Sequence, residues 1–362
     1  MYLNFNVGPS AVSEDVKNDV REALDKNLLS LSHRHKDFLA IFQAARENLK
    51  AFLEIPDGYT IYFVSSASEC MEITGRNLVL NKSCHYVFGS FSKRFASTLK
   101  KIGKEAVVKE VESGMGFNYA NEEINGNGFE LAALTYTETP TGVSLVEDEL
   151  EAFRKKHPEM LIAIDIVSAA GAHKINFSLA DAWFFSVQKG FGLPAGLGVL
   201  IVNDRAKAKA LKMAEEGKDV GVVHSIANLE QYGAKDQTFE TPNVLGIYLL
   251  AKQAGRFKNK GMERIEKETR EKADYIYGWA KNNGMEVHAK EDKYRALSVL
   301  CIKLPNGVTG EEFHKQLNAK GIFPGKGYKD MKETHFRLAN FPTHTLEDFK
   351  ILTQAIDEIA GQ

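Results

Sequence analysis

Cysteine is scarce in this sequence. Three cysteines, at positions 70, 84 and 301 of 362 residues, are too few and too scattered for a disulfide framework or a C-x-x-C zinc site. They point to a reducing compartment. Charge of one sign is also lacking. The chain has 46 Lys and Arg against 48 Asp and Glu, a formal net charge of −2. No global basic field draws in nucleic acid or anionic lipid, so any anion site must be local. No apolar run approaches the ~20 residues that span a bilayer. The start, MYLNFNVGPS, lacks the basic and apolar regions of a signal peptide. What remains, 44% hydrophobic and 26% charged residues, is an ordinary globular composition with ample material for a core. The expectation is a cytoplasmic globular protein, an enzyme by its size, with about two domains by length.

Short β-branched and aromatic runs alternate with amphipathic stretches through the first two thirds. Strands are expected at Thr60–Val64, His85–Phe88, Leu131–Tyr136, Leu161–Ile164, Ala182–Val187 and Gly198–Val202. Helical patterns lie between them at Asp37–Phe52, Glu69–Leu80, Phe91–Ile102 and Glu147–Lys156. This alternation predicts an α/β fold with a mostly parallel sheet covered on both faces. Gly217–Gln237 reads as a surface excursion. A helical region follows over Val244–Asn283, broken near Lys258–Gly261 and ending at Gly284. Strand-like Leu297–Lys303 and Thr334–Leu338 and helical Gly310–Ala319 and Leu346–Ala360 complete a smaller α+β unit.

In parallel sheets ligands bind beyond the carboxyl ends of the strands, so residues just after each strand matter most. Asp165 ends one strand and Lys189, in Gln188–Lys189–Gly190, follows another. An aspartate there also serves as a turn cap. A lysine leaving a buried strand end has its pKa lowered by desolvation, the condition for Schiff-base chemistry, although a surface lysine is the default. Gly190–Phe191–Gly192–Leu193–Pro194–Ala195 approximates a dinucleotide fingerprint, but Pro194 and Leu197–Val202 lead into a strand and not a helix. Ser65–Ser66–Ala67–Ser68 opens a helix, where free N–H groups suit a phosphate; plain N-capping accounts for the same residues. Thr135–Gly142 reads as a strand-to-loop turn.

Together LNFNVGPS, LSHRHKDF, SSAS, TETPTG, AIDIVSAAGAHK, FFSVQKGFGLPAGLGVLIV, FETPN and THFRLANF resemble the class V aminotransferases, pyridoxal-phosphate enzymes of fold type I, and within them the phosphoserine branch. The resemblance implies a large domain with a mostly parallel seven-stranded sheet at 16–240, a small C-terminal domain at 241–362, and residues 1–15 lying near the cleft or small domain. It implies a homodimer with active sites shared across the interface, small amino-acid and 2-oxo-acid substrates, no metal, and no nucleic-acid or membrane partner. Lys189 would hold pyridoxal 5'-phosphate and move the substrate proton. Asp165 would keep the ring nitrogen protonated. Ala67, Ser68 and Gln188 would cradle the phosphate, Phe91 would stack on the ring in place of the more common Trp, and Thr139 would touch the cofactor. Thr241 would reach the phosphate of the neighbouring subunit's cofactor. Arg337 would grip the substrate α-carboxylate, with His33, Arg34 and Lys329 serving the side-chain anion.

The implied reaction is phosphoserine/3-phosphohydroxypyruvate with glutamate/2-oxoglutarate, in serine biosynthesis. Two departures stand out. Tyr328–Lys329 occupies the place of a His–Arg pair, and Glu240 replaces the Asn usual before Thr241. The alternatives are a class V enzyme for alanine, serine or glyoxylate, and a non-catalytic pyridoxal-phosphate-fold binding module. Desulfuration would need a mobile nucleophilic cysteine, whereas Cys301 sits in an apolar strand-like run.

Overall fold

The computed structural model describes residues 2–361 apart from 125, 127 and 306. Its helices are α1 (Glu14–Asp25), α2 (Lys36–Phe52), α3 (Ala67–Leu78), α4 (Ser90–Lys101), α5 (Glu147–Lys156), α6 (Asp204–Glu215), α7 (Ile226–Gly233), α8 (Val244–Lys260), α9 (Met262–Asn282), α10 (Gly310–Ala319) and α11 (Leu346–Ala360). Its strands are β1 (Leu3–Phe5), β2 (Tyr59–Val64), β3 (Lys82–Val87), β4 (Glu105–Glu110), β5 (Phe129–Thr135), β6 (Thr137–Glu138), β7 (Val143–Ser144), β8 (Leu161–Asp165), β9 (Ala182–Ser186), β10 (Gly198–Asn203), β11 (Val299–Lys303), β12 (Ile322–Lys326) and β13 (His335–Ala339).

Seven strands form one sheet in the order β2-β10-β9-β8-β5-β3-β4. Every pairing is parallel except those of β10, which runs antiparallel to β2 and β9. Central β8 and β9, LIAID and AWFFS, are buried at every position, as strands covered on both faces must be. β4 is the polar edge, EAVVKE, with exposed and buried positions interspersed. Helices cover the sheet through apolar faces. On α2, Phe38, Phe42, Ala45, Leu49 and Phe52 are buried three and four residues apart.

A second sheet has the order β1-β12-β13-β11. β1 pairs parallel to β12, so the amino-terminal residues 3–5 complete the carboxyl-terminal sheet. α8 packs on α2 and shares the large core through Ile247, Leu250, Ala254 and Phe257. α9 passes between cores: Met262 and Ile265 belong to the large one, Ala273 and Ile276 to the small one. We therefore place the division within α9 and not at residue 241, because the apolar partners of α8 lie on α2. The 217–237 stretch is also more ordered than a surface excursion: it contains α7, N-capped by Ser225, whose hydroxyl accepts from Asn228 N–H.

Candidate active site

Five strands of the large sheet deliver their following residues to one edge. β2 leads to 65–68, β3 to Phe91, β5 to Thr139, β8 ends in Asp165, and β9 leads to Gln188 and Lys189. Register aligns them. Thr135 pairs with Asp165 and Asp165 with Phe184; Gly198 pairs with both Val64 and Ser186. The carboxyl ends of a parallel sheet are where ligands bind in such folds.

Lys189 is buried. Its Nζ donates to Thr139 Oγ1 at 2.6 Å and Ser168 Oγ at 2.7 Å, and those two hydroxyls are 2.5 Å apart. Burial pushes the ammonium below its ordinary pKa, with the nearby Asp165 carboxylate opposing. The lysine backbone is tied to the amino terminus: Ser10 Oγ donates to Lys189 O at 2.8 Å, and Ser10 N–H to Gln188 O at 2.9 Å. A Cβ at Gly190 would lie 2.1 Å from the Ala170 carbonyl oxygen, so any side chain after the lysine forces the turn to shift.

Asp165 is equally enclosed, and Oδ1 accepts Val167 N–H at 2.9 Å. Burial raises its pKa, while that N–H and Lys189 hold it down. The Phe91 ring faces the lysine, its centroid 5.3 Å from Lys189 Nζ. At the start of α3, Ser66 caps Glu69 N–H at 3.2 Å and Ser186 Oγ accepts Ala67 N–H at 2.7 Å; Ser68 is exposed in the first turn.

The small sheet contributes Arg337, central on β13. Its Nε donates to Lys326 O at 2.8 Å and its Nη1 to Thr139 O at 3.2 Å. Among the described residues no carboxylate pairs with it. Tyr328 stands beside it, the ring centroid 5.6 Å from Arg337 Cζ and 5.6 Å from Lys329 Nζ. Tyr328 and Lys329 also line a cavity of about 470 Å³ with Lys93 and His288. Lys329 has φ +50°, a left-handed conformation uncommon for a non-glycine residue.

Lys189, Thr139, Phe91 and Arg337 are thus joined by direct contacts, with Asp165 at the end of the strand beside them. Gln188 adjoins them through its carbonyl contact with Ser10. His33 and Arg34 do not join those contacts within one chain. Arg34 bonds Gln237 Oε1 and lies over the Tyr232 ring at 5.5 Å. Thr241 is exposed and lines a separate cavity of about 140 Å³ with Ser65 and Glu240. Glu240 Oε2 is buried without a hydrogen-bond partner among the described residues, and burial raises its pKa toward the neutral acid. Cys301 is buried in β11 opposite Arg337, and burial pushes its thiol up to about 12, which denies it nucleophilic character. Sequence reasoning passed over Ser10, Ser168 and Ser186. Their signal was weak: Ser10 stands two residues after Gly8, Ser168 three after the end of β8, and Ser186 is the last residue of β9.

The family described as aminotransferase class-V matches residues 2–332. The chain belongs to the class V aminotransferases. A phosphoserine aminotransferase of known structure from Cytophaga hutchinsonii is 36% identical, with a TM-score of 0.95, covering 99% of this chain and 98% of that one. A phosphoserine aminotransferase from Rhodococcus opacus is 26% identical over 364 residues, spanning 99% of this chain and 95% of the relative. An aspartate aminotransferase from Thermus thermophilus, 20% identical with a TM-score of 0.84 over 100% of this chain and 99% of that one, shares the fold. Class V aminotransferases use pyridoxal 5'-phosphate and act on amino and keto acids. The residues present suit that cofactor. Among the described residues a buried lysine hydrogen-bonds through Nζ to two hydroxyl groups, an enclosed carboxylate accepts one backbone N–H, and an aromatic face stands beside the lysine.

Proposed function

We propose that this class V aminotransferase exchanges the amino group between phosphoserine/3-phosphohydroxypyruvate and glutamate/2-oxoglutarate, as a cytoplasmic homodimer in serine biosynthesis. One observation carries the substrate reading: Arg337 and Lys329 approach the same Tyr328 ring, each at 5.6 Å. Two cations one ring apart suit substrates with two anionic ends. Glutamate has two carboxylates, and phosphoserine a carboxylate and a phosphate. The phosphoserine aminotransferases of Cytophaga and Rhodococcus, similar over nearly the whole chain, support the same assignment.

In this reading Arg337 holds the α-carboxylate with the guanidinium edge left free by its two carbonyl contacts. Lys189 moves the proton at substrate Cα through Nζ, which Thr139 and Ser168 aim. When bound, pyridoxal phosphate supplies a ring that takes up the electrons left as the Cα–H bond breaks. Asp165 stabilises positive charge on the ring nitrogen, and its buried setting strengthens that interaction. Ala67, Ser68 and Gln188 would hold the cofactor's phosphate. His33, Arg34 and Thr241 lie outside the single-chain contacts of Lys189, so we assign them to the neighbouring subunit's site.

The test is transfer of the amino group to 2-oxoglutarate from phosphoserine, serine and alanine, measured side by side. Phosphoserine should exceed serine in kcat/KM by at least about tenfold, the value of one charge-assisted contact. Equal rates would return the enzyme to a phosphate-independent substrate.

A further inference from the structure

Between Thr137 and Thr139 stands a carboxylate with no exposed surface, Glu138. Burying such a group is costly unless its oxygens are satisfied. Here both are. Oε1 accepts Phe91 N–H at 2.9 Å; Oε2 accepts Ser92 N–H at 2.9 Å and the Ser92 hydroxyl at 2.8 Å. These amides belong to the first turn of α4. That helix is N-capped by Gly89, which has no side chain to offer, and its first turn holds no acidic residue. Glu138, 46 and 47 positions away from its partners, supplies what the local sequence withholds: the cap and the negative charge that the helix amino end favours. The approach is so close that a Cβ at Gly89 would lie 2.0 Å from Glu138 Cγ.

The clamped turn is the one that carries Phe91. Its ring centroid is 5.3 Å from Lys189 Nζ and 4.9 Å from Arg94 Cζ. Holding the backbone amides at 91 and 92 fixes where that ring can point. Glu138 also follows Thr137 and precedes Thr139, the residue whose hydroxyl accepts from Lys189. One short segment therefore sets both the lysine's hydroxyl partner and the aromatic wall facing it.

The geometry points to Glu138 as a positioning residue. It pins the first turn of α4 so that Phe91 is held against Lys189, where its face can stack on the cofactor ring. This inference rests on the pyridoxal phosphate reading above. A second consequence is electrostatic: a negative charge in this enclosed site favours the cationic form of the lysine nitrogen.

A double-mutant cycle tests it on the full chain, with pyridoxal phosphate affinity read by fluorescence titration. In Glu138→Gln one carboxamide atom can accept an amide proton, while the other presents hydrogens to the second. Phe91→Ala removes the ring and leaves the clamp. Each single change should weaken cofactor affinity about tenfold, the scale of one aromatic stacking contact. Because both act through the same ring, the double variant should lie within about twofold of Phe91→Ala alone. Glu138→Gln should also lower the pH at which the visible absorption band of the loaded chain is half converted. Glu138→Asp, which keeps the charge and loses reach, should restore that midpoint without restoring affinity. It replaces Glu138→Gln in the cycle if the latter lacks a cooperative thermal transition. Effects that multiply to about a hundredfold, the result expected of independent contributions, would overturn the positioning role; a midpoint unmoved by Glu138→Gln would overturn the electrostatic consequence. If the wild-type chain itself binds no pyridoxal phosphate, the functional reading falls and this inference with it; if it binds and the cycle multiplies, only the role of Glu138 is lost.

Discussion

Replacing Arg337 by lysine probes the substrate grip while keeping the charge. The guanidinium spends Nε on Lys326 O and part of Nη1 on Thr139 O, leaving its remaining N–H groups to face a carboxylate in parallel. An ammonium has three donors on one atom. It cannot hold two carbonyls on different segments and still present two parallel bonds. At least one charge-assisted hydrogen bond to substrate is lost, about 1.5–3 kcal/mol, or roughly ten- to hundredfold in affinity. The α-carboxylate is held alike in ground and transition states, so the loss falls on KM and leaves kcat nearly unchanged. Steady-state kinetics with glutamate, and titration with a non-reactive dicarboxylate, give the two numbers. A KM within about twofold of wild type would refute the assignment, since no carboxylate grip is worth so little.

Three further outcomes follow from buried charge and close packing. Burial raises the pKa of Asp165, so as pH rises past the ordinary carboxylate range the unfolded chain releases this proton before the folded chain does, and stability falls. Asp165→Asn should therefore raise the thermal midpoint of the cofactor-free chain at pH 8 while abolishing transamination; a lower midpoint would contradict the burial argument. Lys272 is buried, donates to Phe341 O and His344 O, and is pushed from 10.5 to about 8, chiefly by burial. Between those two pH values the unfolded chain binds the extra proton, so stability rises with pH by up to roughly 3 kcal/mol from this group. Lys272→Met should flatten that rise in urea unfolding, and an unchanged slope would place the titration elsewhere. Gly190→Ala forces its methyl against the Ala170 carbonyl. It should displace the lysine turn and lower the thermal midpoint by several degrees, corresponding to the ~1–3 kcal/mol of an overpacked site; an unshifted midpoint would show that the turn can relax.

The central sheet was legible because its strands are buried on both faces. Leu161–Ile164 and Ala182–Val187 read as unbroken apolar runs, and the structure has strands at Leu161–Asp165 and Ala182–Ser186. β4 escaped notice because an edge strand carries charge, here EAVVKE. β12 escaped because IFPGK holds a proline and a glycine, which argue against a strand; here the pairing with β1 ends at Pro324 and that with β13 begins at Gly325. β1 is three residues long, and its partner lies more than 300 positions away. A domain division is hard to read from sequence for a different reason: the apolar face of α8 says that the helix is buried, not which core it joins. At the site, strand-end position singled out Lys189 and Asp165. Ser10, Ser168 and Ser186 carry no chemical signature until folding brings them to Lys189 and Ala67.

The central claim is that Lys189 is the residue that holds the cofactor. Wild-type chain loaded with pyridoxal 5'-phosphate, reduced with borohydride and mapped by peptide mass spectrometry, should carry the reduced cofactor on Lys189, with loss of the visible absorption band. A loaded, reduced chain bearing the adduct on another lysine, or none at all, would contradict the account.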